Sequence, residues 1–556
     1  MKTKTLLLNA LVALILVACQ KENSGMLNLT IEGMGSDTKM AVNGNVSYWA
    51  EGDEVLINGN LVTINPPNES GNTATTSVEV NSADAYYGVY PAGICSGNIG
   101  ASCTLSLPAT YTYATTTRQG HTYQNLQSPM VGYTTGSSMQ FKHVTGAINV
   151  QVVNYYGFTI AVDNIVVISD KYKLNGSVPV DDMTNLNVDA QTSSNDAEKR
   201  VEMCFNGSTS LHVFAGDSAI VQVPVLPVGN DNHFTVIVSI HKVDQNAVAT
   251  TFEKTQNAGG ELSRAKVGYA RFTTPGLFSV SDSKRVVISQ GNLKYSNGIW
   301  SFHTTQDGMC FTSNGDVSSS YNAAGTFDLF GWGTSGYHNN EDTYNTNYTP
   351  FSTSNASNYS ATSNYKGYGP STTMSSPNLT ESSANYDWGV YNSISNGGNI
   401  VGRWRVFSKD EWDYIINTRT TSYTSGGTEN VRFTKAYLFN SVHGIIIFPD
   451  DYVHPSGVSE PYNFGINNTN AAAWSSNTYS TDDWAKMEAA GAVFLPASGT
   501  RDGVNVSNTN SIGRYWTSIY NNASVSYEFY LNSGNAKTET NTRSYGYSVR
   551  LVRDVN

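Results

Sequence analysis

"AINVQVVNYYGFTIAVDNIVVIS", residues 147–169, is the stretch on which the fold turns. Ile148, Val150 and Val152 alternate with Asn149 and Gln151, a period of two that sets apolar side chains on one face of a strand. After a break at Asn154–Gly157 the pattern resumes, and Ile165–Ile168 is β-branched throughout. Such side chains fit a pleated surface and lose rotamer freedom in a helix. Outward from here "LNLTIEG" (27–33), "DEVLINGNLVTI" (53–64), "TTSVEV" (75–80), "SAIVQVPVLPV" (218–228) and "HFTVIVSIH" (233–241) follow the same rule, broken by Gly, Asn and Pro turns. Nothing from Leu27 to about Tyr269 carries a 3.6-residue period. An all-β region is expected there, as two packed β-sandwiches dividing near residue 150.

The whole chain has 556 residues, enough for about three domains. Only 14% of them are charged, against a usual share of about 25%. Asn, Ser, Thr, Gly and Tyr take up the difference, a mixture suited to extracellular β proteins. A net charge of −12 with no basic patch argues against nucleic acid as a partner. At the start, Lys2 and Lys4 precede an apolar run from Leu6 to Val17, too short to span a bilayer as a helix. Residues 1–18 are therefore expected to be a signal peptide. The ending Leu16-Val17-Ala18-Cys19 resembles the bacterial lipobox, which implies cleavage before Cys19 and acylation of Cys19 with palmitate-type chains. Residues 19–26 would then be the lipidated cysteine and a linker. Gln20-Lys21-Glu22-Asn23 resembles the charged tag that sends some lipoproteins to the outer face of the outer membrane. Of the remaining cysteines, Cys95 and Cys103 are close enough in sequence to close a small loop, while Cys204 and Cys310 are expected to be free thiols.

Five motifs in order, "DTKMAVNGNVSYWAEGDEVLI" (37–57), "YYGVYPAG" (86–93), "LPATYTY" (107–113), "SPMVGYT" (128–134) and "FKHVTGAINVQV" (141–152), resemble the fimbrillin-like surface lipoproteins. That resemblance implies two transthyretin-like sandwiches, over 27–150 and 151–275, and pilus subunits as partners through strand complementation. Members of the family often lose an N-terminal strand by cleavage at an arginine. This chain has no Arg before Arg118, which favours an anchor or a cap.

From about residue 276 tryptophan becomes frequent and loops lengthen. Two helices are expected. "SKDEWDYIINTR" (408–419) has Ser408 and Glu411 at capping-box spacing, and "STDDWAKMEAAG" (480–491) opens on Ser480 and Asp483 and stops at Gly491. With the surrounding strands they predict an α+β domain over 276–556. The motifs "GNLKYSNGIWSF" (291–302), "FDLFGWGTSGY" (327–337), "DWGVYNSISNGGN" (387–399), "GRWRVFSKDEWDYII" (402–416), "GAVFLPASGTR" (491–501) and "GYSVRLVRD" (546–554) resemble a secreted bacterial family. Its fold is similar to the C-type-lectin-like domain and to the formylglycine-generating enzyme. The resemblance implies a lectin-like fold whose last strand closes against its first.

Catalytic residues are not expected. The formylglycine-generating relatives need a cysteine pair, and this domain has Cys310 alone. Glu460-Pro461-Tyr462-Asn463 misses the lectin calcium pattern by one residue, and Asp450-Asp451 suits a solvated turn better than a cation site. "GWGTSG" (331–336) has dinucleotide-loop spacing without the strand–turn–helix context. The nine histidines, His303 and His338 among them, have no zinc-type spacing, so neither metal nor cofactor is expected. Trp300, Trp332, Trp388, Trp404, Trp412 and Trp516 sit beside apolar residues and are expected in the core.

A ligand is sought instead in "GRYWTSIYNNASVSYEFYLNSGNA" (513–536) and just beyond it. Tyr520, Asn521, Asn522, Tyr527, Tyr530, Asn532, Asn535 and Tyr545 are the candidate contacts, because Tyr offers large area at low entropy cost and Asn adaptable hydrogen bonds. The competing expectation is an ordinary half-buried strand, with Tyr527 and Phe529 on one face and Glu528 and Tyr530 on the other. Together these features predict a lipid-anchored cell-surface adhesin, a pilus tip or cap whose C-terminal domain binds a glycan or protein. The alternative is a stand-alone glycan-capturing surface lipoprotein.

Overall fold

The computed structural model describes residues 24–33, 49–65, 75–95, 99–118, 121–205, 210–243, 249–316, 326–337, 377–439, 441–462, 465–467, 474–502, 505–522 and 524–555. The expected signal peptide, Cys19, the 20–23 tag and His338 lie outside them. Among the described residues the chain is mostly β, and no helix is long and apolar enough to cross a membrane.

The first unit is a seven-stranded sheet ordered Asn60–Thr63, Glu54–Ile57, Tyr86–Tyr90, Met130–Thr134, Ser138–His143, Ser24–Ile31, Thr75–Asn81. The earliest strand is thus interior, parallel to Ser138–His143 and antiparallel to Thr75–Asn81. Its Leu27 and Leu29 are buried with Trp49, whose indole meets Tyr90 and Phe141 edge-on at 5.4 and 5.2 Å.

Two sheets packed face to face make the second unit. One is ordered Ser218–Val225, Gly146–Val153, Val267–Thr273; the other Thr250–Thr255, Phe234–Lys242, Ile160–Ser169, Arg200–Cys204, Thr110–Thr112. Ile148, Val150 and Val152 from one face Ile165, Val167, Val236 and Val238 from the other, as the alternation predicts. The expected division at residue 150 falls inside the strand Gly146–Val153, all of which pairs within the second unit. The first unit also lends Thr110–Thr112 to the second unit's sheet, and Cys103–Leu107 pairs with Gly176–Val180. Val89, Leu105, Val144, Val178 and Leu226 form a core shared between the units. Cys95 and Cys103 are neighbouring free thiols there, and burial, with Cys95 alongside, pushes Cys103 up to about 12.

In the C-terminal domain the last strand, Leu551–Val555, lies between Arg285–Ile288 and Arg405–Val406, so the domain's two ends close on each other as expected. Both helices form with their capping boxes complete. Lys409–Asp413 is capped by Ser408 and Glu411 and continues into a wider π turn at Tyr414–Thr418; Thr481–Ala489 is capped by Ser480 and Asp483. The six tryptophans singled out from sequence are all buried. "GWGTSG" is a turn, with Gly333 and Gly336 at positive φ and the Trp332 indole N–H donating to the Thr517 carbonyl at 2.8 Å.

This domain sits hard against the second unit. Asp217 pairs with both Arg403 and Arg553. The Tyr156 hydroxyl donates to the Ala489 carbonyl at 2.6 Å, and Gln290 N–H to the Gly157 carbonyl at 2.9 Å. Gly157 is required by proximity, since a Cβ there would lie 1.8 Å from the Ile288 carbonyl oxygen. A Cβ on Gly276, at φ +115°, would lie 2.6 Å from the Tyr155 carbonyl oxygen.

Candidate functional site

Two surfaces stand out. The first is a cleft of about 420 Å³ in the second unit, between its two edge strands Thr250–Thr255 and Val267–Thr273. Ile148, Phe234, Val236 and Leu262 line it, with Lys254, Gln256, Glu261 and Arg271 around them, and Tyr269 is 44% exposed beside it. Edge strands carry unpaired backbone groups, so an open sandwich edge with apolar lining offers both a ladder and side-chain pockets to an extended segment.

The second is the segment chosen from sequence, which folds as three antiparallel strands, Ile512–Tyr520, Val525–Asn532 and Ala536–Thr542. Of the eight residues chosen, only Asn521 and Asn522 are exposed; Tyr520, Tyr527, Tyr530, Asn532, Asn535 and Tyr545 are half-buried. Tyr520 receives no freedom from its place at the strand end. Its N–H donates to Asn378 Oδ1 at 2.9 Å and its ring lies 6.4 Å from Trp332. Tyr545 packs 6.3 Å from Tyr547, and Tyr527 lies 5.7 Å from the Lys409 ammonium. Two of the asparagines shape turns. Asn522 Oδ1 accepts from the Ser524 and Val525 amides, and Asn532 Oδ1 from those of Gly534 and Asn535. The expected open face is corrected to a half-buried one, because the strand Val525–Asn532 is covered on both sides. Phe529 stacks on Trp412 at 4.5 Å on one side, and Glu528 is fully buried on the other.

That second side holds a polar group of some interest. Glu528 pairs with Arg514, which reaches Glu539 at 3.5 Å and lies 4.6 Å from the Tyr530 ring. Burial pushes the Glu528 carboxyl up to about 8, with the Arg514 guanidinium pulling it back. Glu528 Oε2 and the Tyr547 hydroxyl are buried with no partner among the described residues. Arg514, Tyr530, Lys537 and Glu539 carry this group out to solvent, a mixed donor–acceptor rim around aromatic rings.

No family profile matches the chain, and no curated protein does. Among solved structures there are distant likenesses, of which three follow. A candidate cell adhesion protein from Bacteroides ovatus aligns with 45% of this chain and 91% of its own, at 12% identity and a TM-score of 0.25. A fimbrial protein from Bacteroides vulgatus covers 45% of this chain and 95% of its own, at 11% identity and 0.22. A second fimbrial protein, from Bacteroides ovatus, spans 96% of this chain and 99% of its own, again at 11% and 0.22.

Asp450 and Glu460, two of the acidic residues weighed for calcium, are engaged elsewhere, while Asp451 is exposed. Asp450 Oδ1 accepts from the fully buried Arg419 at 2.9 Å, and its Oδ2 accepts from the Ser279 amide and hydroxyl at 2.9 and 2.6 Å. Burial lowers Arg419 to about 10, and Asp450 opposes the shift. Glu460 accepts the Tyr423 hydroxyl at 2.6 Å. What the histidine spacing hides is that His303 meets Cys310 and Asp328 in space. The only sequence signal was that all three lie within 26 residues.

Proposed function

We propose that the chain is a lipid-anchored cell-surface adhesin that ends a fibre, with the C-terminal domain as its binding head. The observation that carries this reading is the fate of the second unit's last strand. Val267–Thr273 is paired with Gly146–Val153 and then runs, within four residues, into the C-terminal domain at Phe278–Ser279. No tail is left at that point to be given to a neighbour, whereas the open edge beside it can accept one. A chain able to take a strand and unable to give one terminates an assembly. The bound ligand is a hydroxyl-rich glycan or a polar protein surface, held by Asn521, Asn522 and the rim of Arg514, Tyr530 and Glu539; such mixed aromatic and amide surfaces bind with little entropy lost. The reading keeps Cys19 as the lipid anchor.

The test is a glycan and host-protein array probed with the full chain and with an Asn521→Ala, Asn522→Ala, Tyr530→Ala variant. A ligand bound by the parent and lost by a variant of unchanged melting temperature supports the head. Equal binding by both moves the ligand away from this face.

A further inference from the structure

We propose that His303, Cys310 and Asp328 form a binding site for a divalent cation of the zinc class. Their ligand atoms all lie within 4.8 Å of one another. His303 Nε2 is 2.9 Å from Asp328 Oδ2 and 3.8 Å from Cys310 Sγ. Ligand bonds of about 2.0–2.3 Å in a tetrahedron put neighbouring donors about 3–4 Å apart, so the three atoms need little movement to share one ion. One thiolate, one imidazole and one carboxylate are a borderline-soft set, which suits zinc rather than calcium or magnesium.

The carboxylate supplies the independent sign. Asp328 is 1% exposed, and its Oδ2 is fixed by the Cys310 amide at 2.8 Å and by the imidazole. Its Oδ1 is buried without a partner among the described residues. A buried carboxylate oxygen with nothing to accept is costly, and a cation relieves that cost. The imidazole is held in place with equal care. A Cβ on Gly308 would come within 2.7–2.8 Å of His303 Cβ and its ring, and one on Gly291 within 2.5 Å of the His303 carbonyl.

A nucleophilic triad does not fit. There the thiol and the carboxylate take opposite nitrogens of the ring, so that the imidazole relays between them. Here both converge on Nε2, which is the arrangement of ligands about a common point. Burial and the nearby Asp328 push the Cys310 thiol up, while Lys294 and Arg501 act through space in favour of the thiolate. On binding, the thiol proton leaves to solvent and the imidazole proton that Nε2 shares with Asp328 passes to Nδ1, which frees Nε2 for the cation. Thiolate, carboxylate and a dication then sum to zero charge, which suits a site this buried. Water completes the coordination.

The full chain, untagged and freed of metal, is titrated with Co²⁺. One equivalent should bind with a thiolate-to-cobalt charge-transfer band and the visible bands of tetrahedral cobalt, and Zn²⁺ should displace it. Cys310→Ser should abolish the charge-transfer band, and Asp328→Asn should weaken binding by about tenfold or more. Cys204→Ser should leave both unchanged. The proposal is overturned by a wild-type chain that shows no such band, a readout that needs no variant to fold. A band that survives Cys310→Ser overturns it equally, and would place the metal on the Cys95–Cys103 pair.

Discussion

The second unit and the C-terminal domain solve the same problem with different interiors. In the former, valine and isoleucine from two sheets meet with almost no charge between them. The latter buries tryptophan, phenylalanine and tyrosine together with Arg419, Arg501, Arg543 and Arg550. An apolar interior loses stability in small steps, because each methyl group is worth a fraction of the whole. Where a buried charge has a counter-ion, as Arg419 has Asp450, removing that partner strands the other. The two regions should therefore break differently.

The sharpest break is expected at Asp450→Ala. It leaves the Arg419 guanidinium, fully buried, without its carboxylate, at a cost of about 3–5 kcal/mol. Urea unfolding should show the loss in the C-terminal domain; a change under about 1 kcal/mol would mean that water reaches Arg419.

Gly157→Ala tests the seam between the regions. The new methyl collides with the Ile288 carbonyl, and backbone must shift at a cost of about 1–3 kcal/mol or more. Calorimetry should show one transition becoming two as the C-terminal domain lets go. A single unshifted transition would show that the contact is not what couples them.

A smaller effect distinguishes the interiors by pH. Glu528 holds its proton up to about 8 in the folded chain but only to about 4.5 when unfolded. Between those values the native state binds the extra proton, so stability is full below about 4.5 and falls as pH rises through 8. Melting temperature should fall from pH 5 to 8 in the parent, and Glu528→Gln should flatten that slope. An unchanged slope would locate the titration elsewhere.

In the second unit, Ile165→Val should cost only about 0.5–1.5 kcal/mol, without altering the proposed binding face or the pH profile. A loss as large as that of Asp450→Ala would erase the contrast.

How much of this was legible in the sequence follows the same divide. Strands such as 147–153 declare themselves because alternation is local, and the caps at Ser408 and Ser480 because a capping box spans only four residues. Trp412 and Trp516 were legible as core from their apolar neighbours. The half-burial of Tyr527 and Tyr530 was legible only as one of two expectations; what decides it was not, since it depends on the helix Lys409–Asp413 packing over the Tyr527 and Phe529 face. Nor was the Arg419–Asp450 pair, whose members are 31 residues apart. His303, Cys310 and Asp328 escaped because the ligand set is assembled by folding, with separations of 7 and 18 residues that match no metal spacing. The division expected near 150 falls within the strand Gly146–Val153, since an alternating strand carries no mark of which sheet it joins.

The proposed role, a chain that ends a fibre with its C-terminal domain as the head, places one copy at one end of each fibre. The most direct measurement is electron microscopy of fibres sheared from cells that make the protein, labelled with gold-conjugated antibody raised against residues 277–556. The account predicts a single label at one end of each fibre. Labels repeating along the shaft, or fibres that never carry one while the label stays on the cell surface, would contradict it.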